Sequence, residues 1–405
     1  VRLSAFVSDF DGPAFYRVLF PFRELIKRGH EVAMPKMKVG KANKGATRLI
    51  NFVDVDKPDP DADIYVFQLP RQMEHLGLVQ GLQRKDRICV GEADDYDFGL
   101  PMWHPAFVAL SPVNNKNYNR DWTKRIFEQC DALQVSTPFL ADEYSKTINA
   151  VVRCIPNYLD WGMWEGVEPC YEVERRKTRI GWMGAAYLRK GDLEELSFIG
   201  DWLREHPDVE FVAAGSPEIH DLLNVPKAQR VSTTTVTFRE GDLADITAVM
   251  DIGLVPLQRH PFNEAKSALK GMEYAACGIP CIASPSGPYR EWVDDEVGRL
   301  AGTSEEWVRA LDELVGDSDL RRTMGRAARE KAKRFTIQEH IGEWEDFYDS
   351  LLGTHTDRTR ARLLARTVRS LGEISDATRR ARNIAGQRTS GIGADAQRAN
   401  PFERV

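Results

Sequence analysis

The stretch DIGLVPLQRHPFNEAKSALKGMEYAACGIPCIAS, residues 251–284, reads as strand, loop, helix, glycine stop and second strand. Ala268, Leu269, Met272, Ala275 and Ala276 recur at helical spacing and form a stripe that packs inward. Gly278 stands where a left-handed helix end favours glycine, and Pro280 forbids continuation of the helix. Lys266, Lys270 and Glu273 follow at spacings of four and three, so they share the other face. Strand, helix and strand in one short stretch give the rhythm of a parallel sheet, whose ligands gather at the carboxyl ends of the strands.

The same rhythm runs outward from this stretch. TRIGWM at 178–183, VEFVAAG at 209–215 and VTF at 236–238 read as strands, and Leu193, Leu196, Ile199 and Leu203 form the apolar stripe of a helix. Asp192 before Glu195 and Asp242 before Asp245 mark helix starts, where a side-chain oxygen caps unpaired N–H groups. In the first half, RLSAFVS, HEVAMP, ADIYVFQL, RICVGEA, ALQVST and VVRCIP alternate with helix-like segments such as FPFRELIKRG. Residues 158–177 lose the rhythm and suit a connector. The expected fold is α/β, with two facing Rossmann-like domains at residues 1–165 and 166–335, a return helix at 336–352 and a basic helical tail at 353–405.

Of the 405 residues, 42% are hydrophobic and 29% charged, enough for two packed cores without the charge excess of a disordered chain. The formal charge of −6 hides an asymmetry, because residues 353–405 hold eleven Arg and no Lys against five acidic residues, leaving −12 for residues 1–352. An acidic body argues against a general nucleic-acid binder. In the tail, Leu364, Val368 and Leu371 lie on one side of a basic helix that suits an anionic membrane surface, a partner protein or plain solvent. The cysteines Cys89, Cys130, Cys154, Cys170, Cys277 and Cys281 form no CxxC pair and no zinc spacing, so reduced buried thiols are expected. With no leader pattern and no apolar run near the ~20 residues of a membrane span, the expectation is a cytoplasmic protein, peripheral to a membrane at most.

Chemistry enters through the helix of the opening stretch. Its amino end near Ser267 offers N–H groups and the positive end of the helix dipole to a phosphate, and Lys266 and Lys270 add charge. Glu273, a turn or two along, can accept from both hydroxyls of a ribose. A solvated helix with one Lys–Glu pair would show the same spacing. The stretch resembles the donor-binding signature of the family-4-like (group 1) glycosyltransferases, KSxLKxxEYAAxGIPxxAS, over Lys266 to Ser284 and on into GPYREWV. RIGWMG, IPNYLDW and the order of elements over residues 1–350 support the resemblance, and the tail lies outside it.

The resemblance implies the glycosyltransferase-B architecture, with Glu273 on the ribose and the segment Ala265, Ser267, Ala268, Leu269 and Lys270 holding phosphate and sugar. Many relatives carry two glutamates separated by seven residues, and here the first would fall at Ala265. Either Glu264 takes the sugar-side role from a shifted loop, or Asn263 and Lys266 do. In GWMGAAYLRKGDLEEL, Gly184 permits close backbone approach, and the resemblance makes Arg189 and Lys190 a pair that neutralises a departing diphosphate, although a solvated charge pair reads the same way. In SDFDGPAFYR it points to Gly12 and Arg17 as donor contacts, although turn chemistry also accounts for Gly12-Pro13. EADDYDFGLPMWHP, residues 92–105, sets carboxylates among flat rings that suit a carbohydrate acceptor, with Asp94, Asp95 or His104 to orient its hydroxyl. Magnesium held by those aspartates is the rival reading. The loop at 236–241 is expected to meet the base.

The implied activity is sugar transfer, with retention of configuration, from a nucleotide-diphosphate sugar of UDP or GDP type to a carbohydrate, lipid-linked or protein acceptor. Glu264, Lys266 and His104 are the candidates nearest the reacting atoms, with no tightly bound cofactor and no metal required. If the leaving phosphate takes the acceptor proton, no dedicated base is needed. Alternatives on the same fold are a non-catalytic nucleotide-sugar or carbohydrate-binding protein, a nucleotide-sugar epimerase and a phosphorylase.

Overall fold

Two parallel six-stranded sheets carry the molecule, as seen in a computed structural model that describes residues 1–8, 12–33, 59–233 and 242–354. In the first sheet β1 (Arg2–Phe6), β2 (Glu31–Ala33), β3 (Ile64–Gln68), β4 (Ile88–Ala93), β5 (Ala132–Val135) and β6 (Val151–Cys154) lie in the order β2-β1-β3-β4-β5-β6. The central strands IYVFQ and ICVGEA are buried along their whole length, as strands covered on both faces must be, whereas VVRC at the edge alternates exposed and half-buried residues. Register is set by pairs such as Leu3 with Ile64 and Tyr65 with Cys89. The second sheet runs β12-β11-β10-β7-β8-β9, with β7 (Thr178–Met183), β8 (Val209–Ala214), β9 (Arg230–Ser232), β10 (Ile252–Val255), β11 (Cys281–Ala283) and β12 (Gly298–Leu300).

Strand order reverses beside β1 in the first sheet and beside β7 in the second, so each sheet opens a crevice at the carboxyl end of those strands. Apolar clusters fill the layers below. One gathers Phe67, Val79, Phe127, Leu133 and Leu140, and another Trp202, Phe211, Leu254, Trp307 and Leu311. Ala265, which precedes β11 in the chain, packs in the cluster of the first sheet, so the two halves meet across the crevices.

Short 3-10 turns occupy the segment between β6 and β7. After the helix Ser318–Lys333 the chain returns to the first half, where Leu159 N–H donates to Phe335 O (3.0 Å) and Ile337 N–H to Leu159 O (2.8 Å). The Tyr348 hydroxyl donates to Gln134 on β5 at 3.1 Å. Residues 1–349 form one compact unit and residues 350–405 a second, described only through Thr354, where the helix Gly342–Gly353 ends.

Several expectations change. Asp192 caps no helix: it lies inside the short helix Lys190–Leu193, buried, with its carboxylate committed to the β10 loop described below. The expected single helix over Leu193 to Leu203 is a helical turn, a 3-10 turn and the helix Ile199–Glu205, although all four stripe residues are buried. β9 (RVS) and β12 (GRL) were not among the expected strands, because each holds a single apolar residue beside an arginine and so gives no apolar run. The VTF strand, the 236–241 loop, the side chain of Asp242 and the tail residues Leu364, Val368 and Leu371 lie outside the described residues. None of the six cysteines is in a disulfide, and all but the half-buried Cys154 are buried. Among the described residues no helix is long and apolar enough to cross a membrane.

Candidate active site

A cavity of ≈ 390 Å³ lies where the carboxyl ends of the two sheets face each other. Gly12, Pro13, Tyr16, Asp94, Asp95 and Asn157 line it from the first half, and the loops after β7 and β10 together with Lys266, Ser267, Leu269, Lys270, Glu273 and Tyr289 line it from the second.

The wall after β7 depends on Gly184, whose φ of 147° and close approach to the Trp182 indole, 2.7 Å from a Cβ placed there, exclude a side chain. Ser216 Oγ donates to Gly184 O (2.9 Å) and accepts from the Ala186 N–H (2.9 Å), which fixes the turn that leads to Arg189. Below it, Asp192 accepts from the Gln258 N–H (3.0 Å), Asn263 Nδ2 (2.6 Å) and Arg189 Nη1 (3.3 Å). One buried carboxylate thereby ties the β7 loop to the β10 loop and orients a cation at the cavity wall.

The helix Leu269–Ala276 begins at Ala268 without a side-chain cap, so its first-turn N–H groups have no side-chain acceptor. It ends in the expected way: Gly278 has φ 69°, its N–H reaches Ala275 O (2.8 Å), and the Ile279 N–H reaches Tyr274 O (3.0 Å). Lys270 lies near the Trp182 ring and donates to Met183 O. Burial brings its ammonium down to about 8; Glu273 opposes that shift, and the positive charges of Arg189 and Lys266 add to it. Glu273 is buried and raised above the usual carboxylate range by burial, against the pull of Lys270 and of the Tyr16 hydroxyl, which donates to its Oε1 at 2.8 Å.

Across the cavity Asp95 forms an ion pair with Lys266. Burial works against the charged form of Asp95, yet the Lys266 ammonium holds this carboxyl below its usual range. Asp94 Oδ1 is buried without a hydrogen-bond partner, and burial, followed by the charges of Asp95 and Glu92, pushes the carboxyl well above its usual range. The charged form of Asp94 is therefore disfavoured. Among the described residues no group of three His, Cys, Asp or Glu side chains is arranged to hold a metal ion.

Of the residues singled out in the sequence, Gly12, Asp94, Asp95, Gly184, Arg189, Lys266, Ser267, Leu269, Lys270 and Glu273 line the cavity, and the rest do not. Arg17 is fully buried, 2.6 Å from Glu92 Oε1, and also donates to Ile155 O (2.7 Å) and Asn157 Oδ1 (3.0 Å). It braces Asn157, whose Nδ2 donates to Ser267 Oγ at 2.9 Å, instead of meeting a ligand. His104 is also buried: its Nδ1 accepts from the Ala106 N–H (3.1 Å), and burial, then Arg189 and Lys266, brings its imidazole down to about 4. Glu264 is held by both terminal nitrogens of Arg290 (2.9 and 3.0 Å) and by the Gly287 N–H (3.1 Å), so it fastens two loops. Asn263 is the buried strut to Asp192, and the Ala265 carbonyl accepts from Thr137 Oγ1 at 3.1 Å. Ala268 turns its methyl inward, and the Lys190 side chain is exposed at the start of its helix. Tyr16, Asn157, Asp192 and Tyr289 were missed. Tyr16, Asn157 and Asp192 owe their positions to partners more than sixty residues away, which local spacing does not reveal.

Residues 178–317 match the family model described as Glycosyl transferases group 1. The chain is 26% identical over 287 residues to D-inositol 3-phosphate glycosyltransferase of Corynebacterium jeikeium, covering 62% of this chain and 67% of that protein. It is 24% identical over 194 residues to the protein of the same name from Corynebacterium kroppenstedtii, covering 44% of this chain but only 42% of the relative's length. Among solved structures, sucrose-phosphate synthase from Thermosynechococcus elongatus superimposes with a TM-score of 0.61 at 15% identity, over 87% of this chain and 99% of that one. Anabaena HepE in complex with UDP and glucose gives 0.58 at 14% identity, over 86% and 99%. Residues 178–317 thus match the group 1 glycosyl transferases, and the two facing sheets have the two-domain architecture of the glycosyltransferase-B fold.

Proposed function

We propose that the protein transfers a sugar from a nucleotide-diphosphate sugar to a hydroxyl acceptor, with retention of configuration. The observation that carries this reading is the convergence of Arg189, Lys266 and Lys270 on one cavity wall, with Glu273 one turn beyond Lys270. Three cations and an uncapped helix start neutralise a diphosphate as its bond to the sugar breaks, where the charge develops and water is largely excluded. Glu273 accepts from the ribose hydroxyls. The donor is of UDP type, as the ligand of the HepE complex suggests. The departing phosphate takes the acceptor proton, and no side chain acts as a dedicated base.

On the acceptor side, Asp94 has an oxygen without a partner and Asp95 is committed to Lys266. Asp94, whose charged form burial disfavours, orients a hydroxyl by hydrogen bonding and repels a departing diphosphate less than a solvated carboxylate would. The acceptor is a polyol or sugar hydroxyl, the class to which the inositol phosphate in the relatives' name belongs.

The test is turnover. The full chain is incubated with UDP-, GDP- and ADP-sugars and with a panel of polyol and sugar acceptors, and nucleoside diphosphate release is followed together with the anomeric configuration of the product. Acceptor-dependent release with a retained anomer is expected. Nucleotide binding without release under any acceptor would make the chain a binding protein instead.

A further inference from the structure

Glu273 is the group that should receive the ribose, yet one of its two carboxylate oxygens is already in use. The Tyr16 hydroxyl donates to Glu273 Oε1 at 2.8 Å across 257 positions of sequence, and both side chains are almost fully buried. Tyr16 comes from the first half, from a π-helical turn over Phe15–Leu19 that interrupts the helix leading to Lys27. Its ring packs edge-on against Phe20, centroids 5.4 Å apart, and it lines the same cavity as Lys266 and Lys270. At the other end of the cavity the arrangement repeats: Lys266, proposed to face phosphate, is held by Asp95 of the first half. A hydroxyl stands on the carboxylate that binds hydroxyls, and a carboxylate stands on the ammonium that binds phosphate.

We propose that Tyr16 is a stand-in for the donor's ribose, occupying Glu273 Oε1 and giving way when a nucleotide's ribose takes its place. This rests on the reading of Glu273 as the ribose acceptor. A ribose that takes both carboxylate oxygens must displace the Tyr16 hydroxyl from Oε1, so Tyr16 weakens donor binding and favours ligands whose ribose hydroxyls replace what is lost. The π turn, a form frequent at functional sites, is the backbone segment from which the ring would withdraw.

The experiment is calorimetric titration of wild type, Tyr16→Phe and Glu273→Ala with UDP, GDP and ADP, and with the 2′,3′-dideoxy form of whichever nucleotide binds. Thermal melts first establish that the variants are folded, and Tyr16→Phe removes only one oxygen. Tyr16→Phe should bind the ribonucleotide roughly tenfold to a hundredfold more tightly, the scale of one released hydrogen bond to a charged acceptor. It should show no gain for the dideoxy form, which makes no demand on Glu273. Unchanged or weaker binding of the ribonucleotide by Tyr16→Phe overturns the proposal, weaker binding meaning that Tyr16 is itself a ligand contact. If Glu273→Ala binds as wild type does, the ribose reading fails as well. If no nucleotide binds either wild type or Tyr16→Phe, both readings fall.

Discussion

Lys270 brings pH into the account at the level of a single residue. Burial, against Glu273 and with Arg189 and Lys266, brings its ammonium down to about 8. A diphosphate beside it favours the protonated form, so binding raises this value. The sign follows by linkage: affinity is full below about pH 8, falls by up to about tenfold per pH unit above it, and levels off beyond the value in the complex. Titrations between about pH 7 and about pH 9.5 should show that slope in wild type and not in Lys270→Arg, whose charge does not titrate in that range. A flat profile in wild type removes Lys270 from the phosphate site. Arg17 shows where residue types mislead. A cation beside a glycine turn reads as a ligand contact, but this one is sealed against Glu92 and spends its donors on the chain before Asn157. His104 misled for the same reason, since a ring buried near cations stays neutral and serves as a helix cap.

The elements were legible wherever a period had room to show itself. Most of the strands, the helix Leu269–Ala276 and its stop at Gly278 follow from apolar spacing and one left-handed position, whereas β9 (RVS) and β12 (GRL) each offer one apolar residue beside an arginine. The breaks in the helix after Arg189 were hidden because 3-10 and α turns bury nearly the same stripe. One packing constraint between elements bears on the site. A Cβ at Gly253 on β10 would lie 2.4 Å from the ring of fully buried Tyr274, which adjoins Glu273 on the donor helix. Gly253→Ala should therefore cost about 1–3 kcal/mol in chemical denaturation, the range for overpacking a tight core. It should also weaken nucleotide binding by shifting the helix. A stable variant with unchanged affinity would mean that the ring moves freely and that the helix is not held in place from β10.

Over residues 1–349 the two-sheet plan was open to reading because alternating strands and helices repeat locally, twice. The closing of the cleft was not, because its contacts join residues far apart: Tyr16 with Glu273, Asp95 with Lys266, Thr137 with Ala265 and Asn157 with Ser267. Those contacts decide which of the charged residues face the cavity and which only brace it. The central claim is that the cavity between the halves is a nucleotide-sugar site built on Glu273, and thermal unfolding in the presence of UDP, GDP and ADP tests it most directly. A nucleotide at about a hundred times its dissociation constant stabilises the folded chain by about 2.7 kcal/mol. The account predicts that one nucleotide raises the wild-type midpoint and that Glu273→Ala loses most of that rise. No shift with any nucleotide, or an equal shift in the variant, would contradict it.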